Sequence, residues 1–378
     1  MSKKNKKTYM LTPAWQDTTV PGITQAVERL VKQIDSVHDT KNQKETAPRL
    51  SKSEKARATQ TYKLGEQARG QALNYMYTFA EKGDMNNRDL VAVADMKALN
   101  RYFAKVAAGR SSNDAGRGRI CFSSLEQYQA FKKMLSNLDE NGYVKDINIK
   151  NVRVLKHETD DYIENPRKSG FAGYIKTALE IEVGKGNIAY FEVQMMPENY
   201  LKADKDSHKL YDMMRILEEI PKIYLQDGDQ DVYDALKLAN EALFIEEGLR
   251  MQSSGQKITK SQAKRSANGE LIGALLNATG SRPKTLLDMR KKPFDLPSRE
   301  QVEDTTNILS QISEQIRMLP GRSLPWREQT IDALAFAKTS IYNLDKARRV
   351  IEAKRNNGWS LEQSKDIVSE AHEHLPRR

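Results

Sequence analysis

The sequence predicts an α+β protein: a mixed β-sheet flanked by helices, followed by a helical C-terminal domain. Two strand candidates, Tyr174–Val183 and Ile188–Met195, are rich in β-branched and aromatic residues. Gly184-Lys185-Gly186-Asn187 separates them with the composition of a hairpin turn. Apolar residues at helical spacing precede and follow this pair, and from residue 301 onward the pattern is helical alone.

In chain order, residues 1–50 read as a basic N-terminal tail carrying one amphipathic helix, since Ile23, Val27, Leu30, Val31 and Ile34 recur over about 22–36. His38 to Arg49 is polar and linker-like. His38-Asp39 lacks the further histidines that a metal-dependent hydrolase of that signature requires, the next being His157. A core domain is expected over 51–250. Ser53 to Lys82 reads as one long helix, stopped by Gly83-Asp84. The next helix is expected over about 88–107, because Ala92, Met96, Leu99, Phe103 and Val106 form one apolar stripe. Lys97, Arg101 and Lys105, each four residues after the last, place three cations along a second edge of it. Alone, such an edge is more often a solvated face.

Ser124 to Leu138 reads as a helix, Ile147–His157 as a strand, and Asp204–Leu217 and Val232–Gly248 as helices. Asp227-Gly-Asp-Gln-Asp231 lacks the glycine and the bidentate glutamate of a calcium loop, and reads as a turn and cap. Residues 251–300 are a basic connector. Residues 301–378 form the helical domain: one helix from Val302 to Ile316, a break at Pro320-Gly321 and Pro325, a longer helix through Ile351, and a last one opened by Ser360-Leu-Glu-Gln363.

Alternation along the second strand puts Ala189, Phe191, Val193 and Met195 on one, purely apolar, face. Ile188, Tyr190, Glu192 and Gln194 share the other. A carboxylate and an amide are thus presented together from a rigid element, as a metal site or a general base requires. A lone strand glutamate is more often a solvated residue. Upstream, Asp114-Ala-Gly-Arg117-Gly118-Arg119 leads into a further apolar stretch, Ile120-Cys121-Phe122. An aspartate there can meet Glu192 from a neighbouring strand, and two carboxylates completed by substrate phosphates make a Mg²⁺ seat. The planar guanidinium forks of Arg117 and Arg119 suit phosphate oxygens.

In order and spacing, four of these features resemble the synthetase domain of the RelA/SpoT nucleotidyltransferases: Asp114 to Arg119, Asn165-Pro166-Arg167-Lys168-Ser169-Gly170-Phe171, Glu192-Val193-Gln194 and Ser207-His208-Lys209-Leu210-Tyr211. The resemblance covers roughly residues 85–220, a little over a third of the chain. It implies a nucleotidyltransferase-like core that passes the β,γ-pyrophosphate of ATP to the ribose 3′-hydroxyl of a nucleotide acceptor. It implies Mg²⁺ on Asp114 and Glu192, with Glu192 taking the hydroxyl proton and Gln194 beside it. It implies a donor site of Lys97, Arg101, Lys105, Arg110, Arg117 and Arg119. The acceptor side would be Phe171 as a stacking ring, Lys176, His208 and Tyr211. The family usually has a histidine four residues after that aromatic; here Ile175 stands in its place, with Lys176 next. The acceptor is therefore open among guanosine nucleotides (GDP or GTP), adenosine nucleotides and the 3′ end of tRNA. A non-catalytic RNA-binding or regulatory protein on a degenerate synthetase scaffold is the reading from another class.

Bulk properties are permissive. The 378 residues carry a formal charge of +10, which suits polyanionic partners without specifying one. A single cysteine, Cys121, excludes an intramolecular disulfide and any multi-cysteine zinc site. No apolar run approaches the ~20 residues of a membrane span, and no apolar core follows the basic start MSKKNKK. A reducing cytoplasm is the expected setting.

Overall fold

The computed structural model describes residues 21–42, 50–96, 99–107, 115–145, 147, 149–184, 186–218, 220, 226–250, 296–321 and 324–357. It is a mixed α/β structure built on a five-stranded sheet flanked by helices. The strands are β1 (Val91–Val93), β2 (Gly116–Phe122), β3 (Val152–Asp161), β4 (Ile175–Glu182) and β5 (Ile188–Pro197). Their spatial order is β1-β2-β5-β4-β3. Among the described strands β2 and β5 run parallel and the other pairs antiparallel.

The β4–β5 hairpin forms where its turn composition places it. Val183 N–H donates to the Asn187 carbonyl at 3.0 Å, and Gly186 sits at φ +76°, where a side chain would be strained. Burial alternates along β5 as expected: Ala189, Phe191, Val193 and Met195 are at most 2% exposed. Ile175, Leu179 and Ile181 of β4 join them on this apolar face. On β2 the same face is made by glycine. A Cβ on Gly116 would lie 2.5 Å from the Phe191 ring, and one on Gly118 would lie 2.6 Å from Met76 Cε. The absence of side chains lets Phe191 and the helix carrying Met76 close over the sheet.

That covering layer is α2 (Lys52–Gln67), α3 (Arg69–Lys82) and α5 (Leu125–Ser136). Ser51 and Glu54 cap α2 reciprocally, and Ser124 caps α5. The single helix expected over Ser53–Lys82 is two, meeting at Ala68; Gly65 and Gly70, both poor helix formers, bracket the junction. The helix expected over 88–107 is also corrected. A 3₁₀ turn at Arg88–Leu90 leads into β1, paired Val91 to Ile120 and Val93 to Gly118, and α4 (Leu99–Ala107) begins only after it. Two valines beside an open sheet edge gain more from pairing than from extending a short helix. The apolar stripe is consequently divided, with Ala92 on the strand, Phe103 buried and Leu99 exposed.

A second helical layer contains α1 (Pro21–Asn42), α6 (Tyr200–Glu218), α7 (Asp229–Arg250), α8 (Arg299–Met318) and α9 (Pro325–Asn357). Leu30, Leu236, Leu309, Ile312, Leu334 and Ile341 are fully buried in one shared core. Arg29 pairs with the buried Asp229 at 2.7 Å, and Arg327 reaches Asp35 of α1 at 3.0 Å. The segment expected as a C-terminal domain therefore packs, over its described residues, against α1, α6 and α7. Most of the basic connector (residues 251–295) and the last expected helix lie outside the described residues.

Candidate functional site

The sheet face opposite the apolar core carries the site. Register fixes its composition. Arg117 stands beside Glu192 and Arg119 beside Gln194 across the parallel β2–β5 pair. On the other flank of β5, Ala178 stands beside Glu192 and Lys176 beside Gln194. Neighbouring strands are ~4.8 Å apart, so two guanidinium groups, a carboxylate and an amide rise from adjoining positions on a rigid surface. Gln194 Nε2 donates to Glu192 Oε1 at 2.8 Å, and Gln194 is the carboxylate's one hydrogen-bond partner among the described residues. Arg117 is half-buried and its Nε has no hydrogen-bond partner among the described residues. A buried, unsatisfied donor beside a carboxylate is disposed to receive an anionic oxygen.

α6, which follows β5 after a short turn, brings Asp204 within electrostatic reach of both arginines. The Asp204 side chain is 18% exposed and lies 3.7 Å from His208 Nε2, while its Oδ1 is buried without a hydrogen-bond partner among the described residues. Burial raises its pKa, opposed by His208, Arg119 and Arg117. Tyr174 enters this face one residue ahead of β4. Burial raises its phenol well above the ordinary value, and the charges of Glu192 and Asp204 add to the rise against Arg167. It therefore remains a hydrogen-bond donor. Cys121, on the same face of β2, is pushed up to about 11 by burial.

The loop before β4 makes the outer wall. Tyr162 donates to Asp160 at 3.0 Å, and the Arg167 guanidinium lies 4.1 Å over the Tyr162 ring. Gly170 adopts φ +77° with α7 directly beneath; a Cβ there would come within 2.8 Å of the Lys237 carbonyl. Asn240, fully buried on α7, donates to the Ser169 carbonyl at 2.8 Å and clamps the turn.

Of the residues the sequence nominated, Glu192, Gln194, Arg117, Arg119 and Lys176 share the polar face. Lys176 is committed to Asp160 (3.2 Å) and Glu158 (3.7 Å) on β3. Burial opposes its charge, but Asp160, Tyr162 and Glu158 outweigh that and raise its pKa. Phe171 is 7% exposed, its ring held edge-on by Tyr174 at 4.9 Å, Phe244 at 5.0 Å and Tyr162 at 6.0 Å. In this arrangement the ring is buried among three other aromatics. His208 and Tyr211 lie on α6, His208 mostly exposed and Tyr211 half-buried. Arg101 and Lys105 lie on α4. Lys97, Arg110 and Asp114 lie outside the described residues.

The sequence reading missed Tyr174, Asp204 and the stacked Arg167. Two of them had a signal: Gly173-Tyr174 repeats the Gly-aromatic pair of Gly170-Phe171 and Tyr174 alternates with Lys176, while Asp204 stands one helical turn before His208.

Among the described residues no group of three or more His, Cys, Asp or Glu side chains gathers to hold a metal, and no helix is long and apolar enough to cross a membrane. A Mg²⁺ bridging substrate phosphates needs only one or two carboxylates. The donor set fits that use: Glu192 offers carboxylate oxygen, and the flanking arginines would hold the phosphates. No protein-family model matches the chain, and no curated protein matches it.

The raised pKa of Asp204 has a consequence for stability. A carboxyl whose folded pKa exceeds its unfolded value binds more protons in the native state, so stability falls as pH rises through that window. Asp204→Asn removes this loss. Urea unfolding at pH 4 and pH 7 is expected to show a smaller decline for the variant than for the parent; equal declines would mean that Asp204 is not held against ionisation.

Proposed function

We propose that this face binds ATP and transfers its β,γ-pyrophosphate to the ribose 3′-hydroxyl of a nucleotide acceptor in a Mg²⁺-dependent reaction. The observation that carries the reading is the β2–β5 register, with Arg117 beside Glu192 and Arg119 beside Gln194. Phosphate-gripping cations and a strand-mounted carboxylate thereby occupy one surface.

Arg117 and Arg119 hold the donor phosphates, Arg117 through a guanidinium whose Nε is otherwise unsatisfied. The acceptor's 3′-oxygen attacks the β-phosphorus and the bond from that phosphorus to the α–β bridging oxygen breaks, so AMP leaves. The hydroxyl proton passes to Glu192, which Gln194 holds in place at 2.8 Å. Glu192, with Asp114 by resemblance, would hold Mg²⁺; when bound, the ion neutralises charge on the phosphates. Tyr174, within electrostatic reach of Glu192 and Arg167, would help to orient the polar groups of the substrates. Such transfer is mostly positioning and electrostatic stabilisation.

The test is incubation with Mg²⁺ and γ-labelled ATP in parallel with GDP, GTP, ADP and bulk tRNA. Label appearing in one acceptor is the expected result and fixes the acceptor class. No transfer to any of the four would count against the catalytic reading and favour a non-catalytic nucleotide or RNA binder.

A further inference from the structure

On the covering layer, away from this face, a groove of about 750 Å³ is lined by Lys52, Lys55, Ala56, Thr59, Gln60, Lys63, Leu64 and Gln67 of α2, with Asn187 from the β4–β5 turn. The α2 residues recur at helical spacings of three and four, so they project from one face. Three cations and four uncharged hydrogen-bonding side chains line the groove, and no acid does. The lysines are exposed, and none has an acidic partner within ion-pair range among the described residues. Of the helix's two acids, Glu54 is consumed by the cap, bonding Ser51 N at 2.8 Å and Ser51 Oγ at 2.7 Å, and Glu66, one turn beyond Lys63, lies off the groove lining. A solvated helix face usually interleaves both signs as i,i+4 pairs; the groove side of this one makes no ion pair among the described residues, Lys55 alone lying over a ring, 6.0 Å from the Phe103 centroid.

We infer that this groove is a docking surface for the phosphodiester backbone of a polynucleotide. From Lys52 to Lys63 the helix rises ~16 Å, which spaces the cations along several successive phosphates. Thr59, Gln60, Gln67 and Asn187 lie along the same groove and can donate or accept at phosphate and sugar oxygens. Leu64 is the one large apolar lining residue, so the groove lacks the pockets by which a peptide anchors hydrophobic side chains and the apolar area by which a helix enters a lipid surface. The inference does not depend on catalysis, since Glu192 lies five residues along β5 from Asn187, ~17 Å of strand.

The test is fluorescence anisotropy of tRNA, and of single-stranded DNA of equal length, titrated with the full chain from low to high salt. The variant is Lys52→Ala/Lys55→Ala/Lys63→Ala; alanine keeps exposed helix positions helical, and circular dichroism checks the fold. Both polynucleotides are expected to bind the parent. The triple variant is expected to reduce the slope of log affinity against log salt by about 3, with at least a tenfold weaker affinity at low salt. An unchanged slope overturns the proposal, as does failure of the parent to bind either polynucleotide. So does displacement of tRNA by polyglutamate at equal charge concentration, which would assign the groove to acidic polypeptide.

Discussion

Glu192→Gln is expected to lower pyrophosphate transfer by about 10²–10⁴-fold, the range that a positioned general base supplies. The amide keeps the shape of the carboxylate and can still pair with Gln194, so the strand surface is unchanged. It loses the capacity to accept a proton and to ligate Mg²⁺ as an anion. ATP affinity measured without the metal should remain within a few-fold, because in the proposed site Arg117 and Arg119, on the neighbouring strand, hold the phosphates. Thermal stability should also hold, because Glu192 is only half-buried and faces the polar side. Undiminished transfer in a folded Glu192→Gln protein would remove the carboxylate from the mechanism, whatever the fold.

One residue earlier on the same strand, the expected effect is of the opposite kind. Phe191 is fully buried, points to the apolar face and lies so close to Gly116 that a single added carbon there would clash with its ring. Phe191→Ala is expected to destabilise the fold by about 3–5 kcal/mol, through lost transfer energy and an incompletely collapsed cavity. Urea denaturation measures it directly. Below the unfolding transition, transfer per folded molecule should change far less than for Glu192→Gln. A cost under ~1 kcal/mol would mean that this position is not the packed centre of the sheet. The pair separates the two faces of β5: one carries the core and the other the proposed chemistry.

That division was legible in the sequence because strand alternation is strict. The spacing of Phe191, Val193 and Met195 against Glu192 and Gln194 determines which side each occupies once a strand is granted. The hairpin was legible for the same reason, its glycines standing where positive φ is needed. Arg117 and Arg119 could be paired as alternate residues, but their neighbours could not be named. Register between β2 and β5 joins segments some 75 residues apart in sequence, and no local pattern encodes it. β1 was lost to a helical pattern because three residues are too few for a period to emerge, and Ala92 suits either state. The burial of Phe171 turned on Phe244, an aromatic on a helix distant in sequence whose ring lies 5.0 Å from its own. The helical layer also runs past the expected boundary: α8 and α9 carry the apolar stripes foreseen for them, yet periodicity does not say which neighbours those stripes meet.

The central claim is that donor phosphates lie between Arg117, Arg119 and Glu192, and calorimetric titration of ATP with Mg²⁺ into the parent and into Arg117→Ala/Arg119→Ala tests it most directly. Both chains must first give the same circular dichroism spectrum. Saturable binding by the parent, weakened at least tenfold in the double variant, is the predicted result. Equal affinity in the two proteins would contradict the account, because the phosphates would then be held elsewhere.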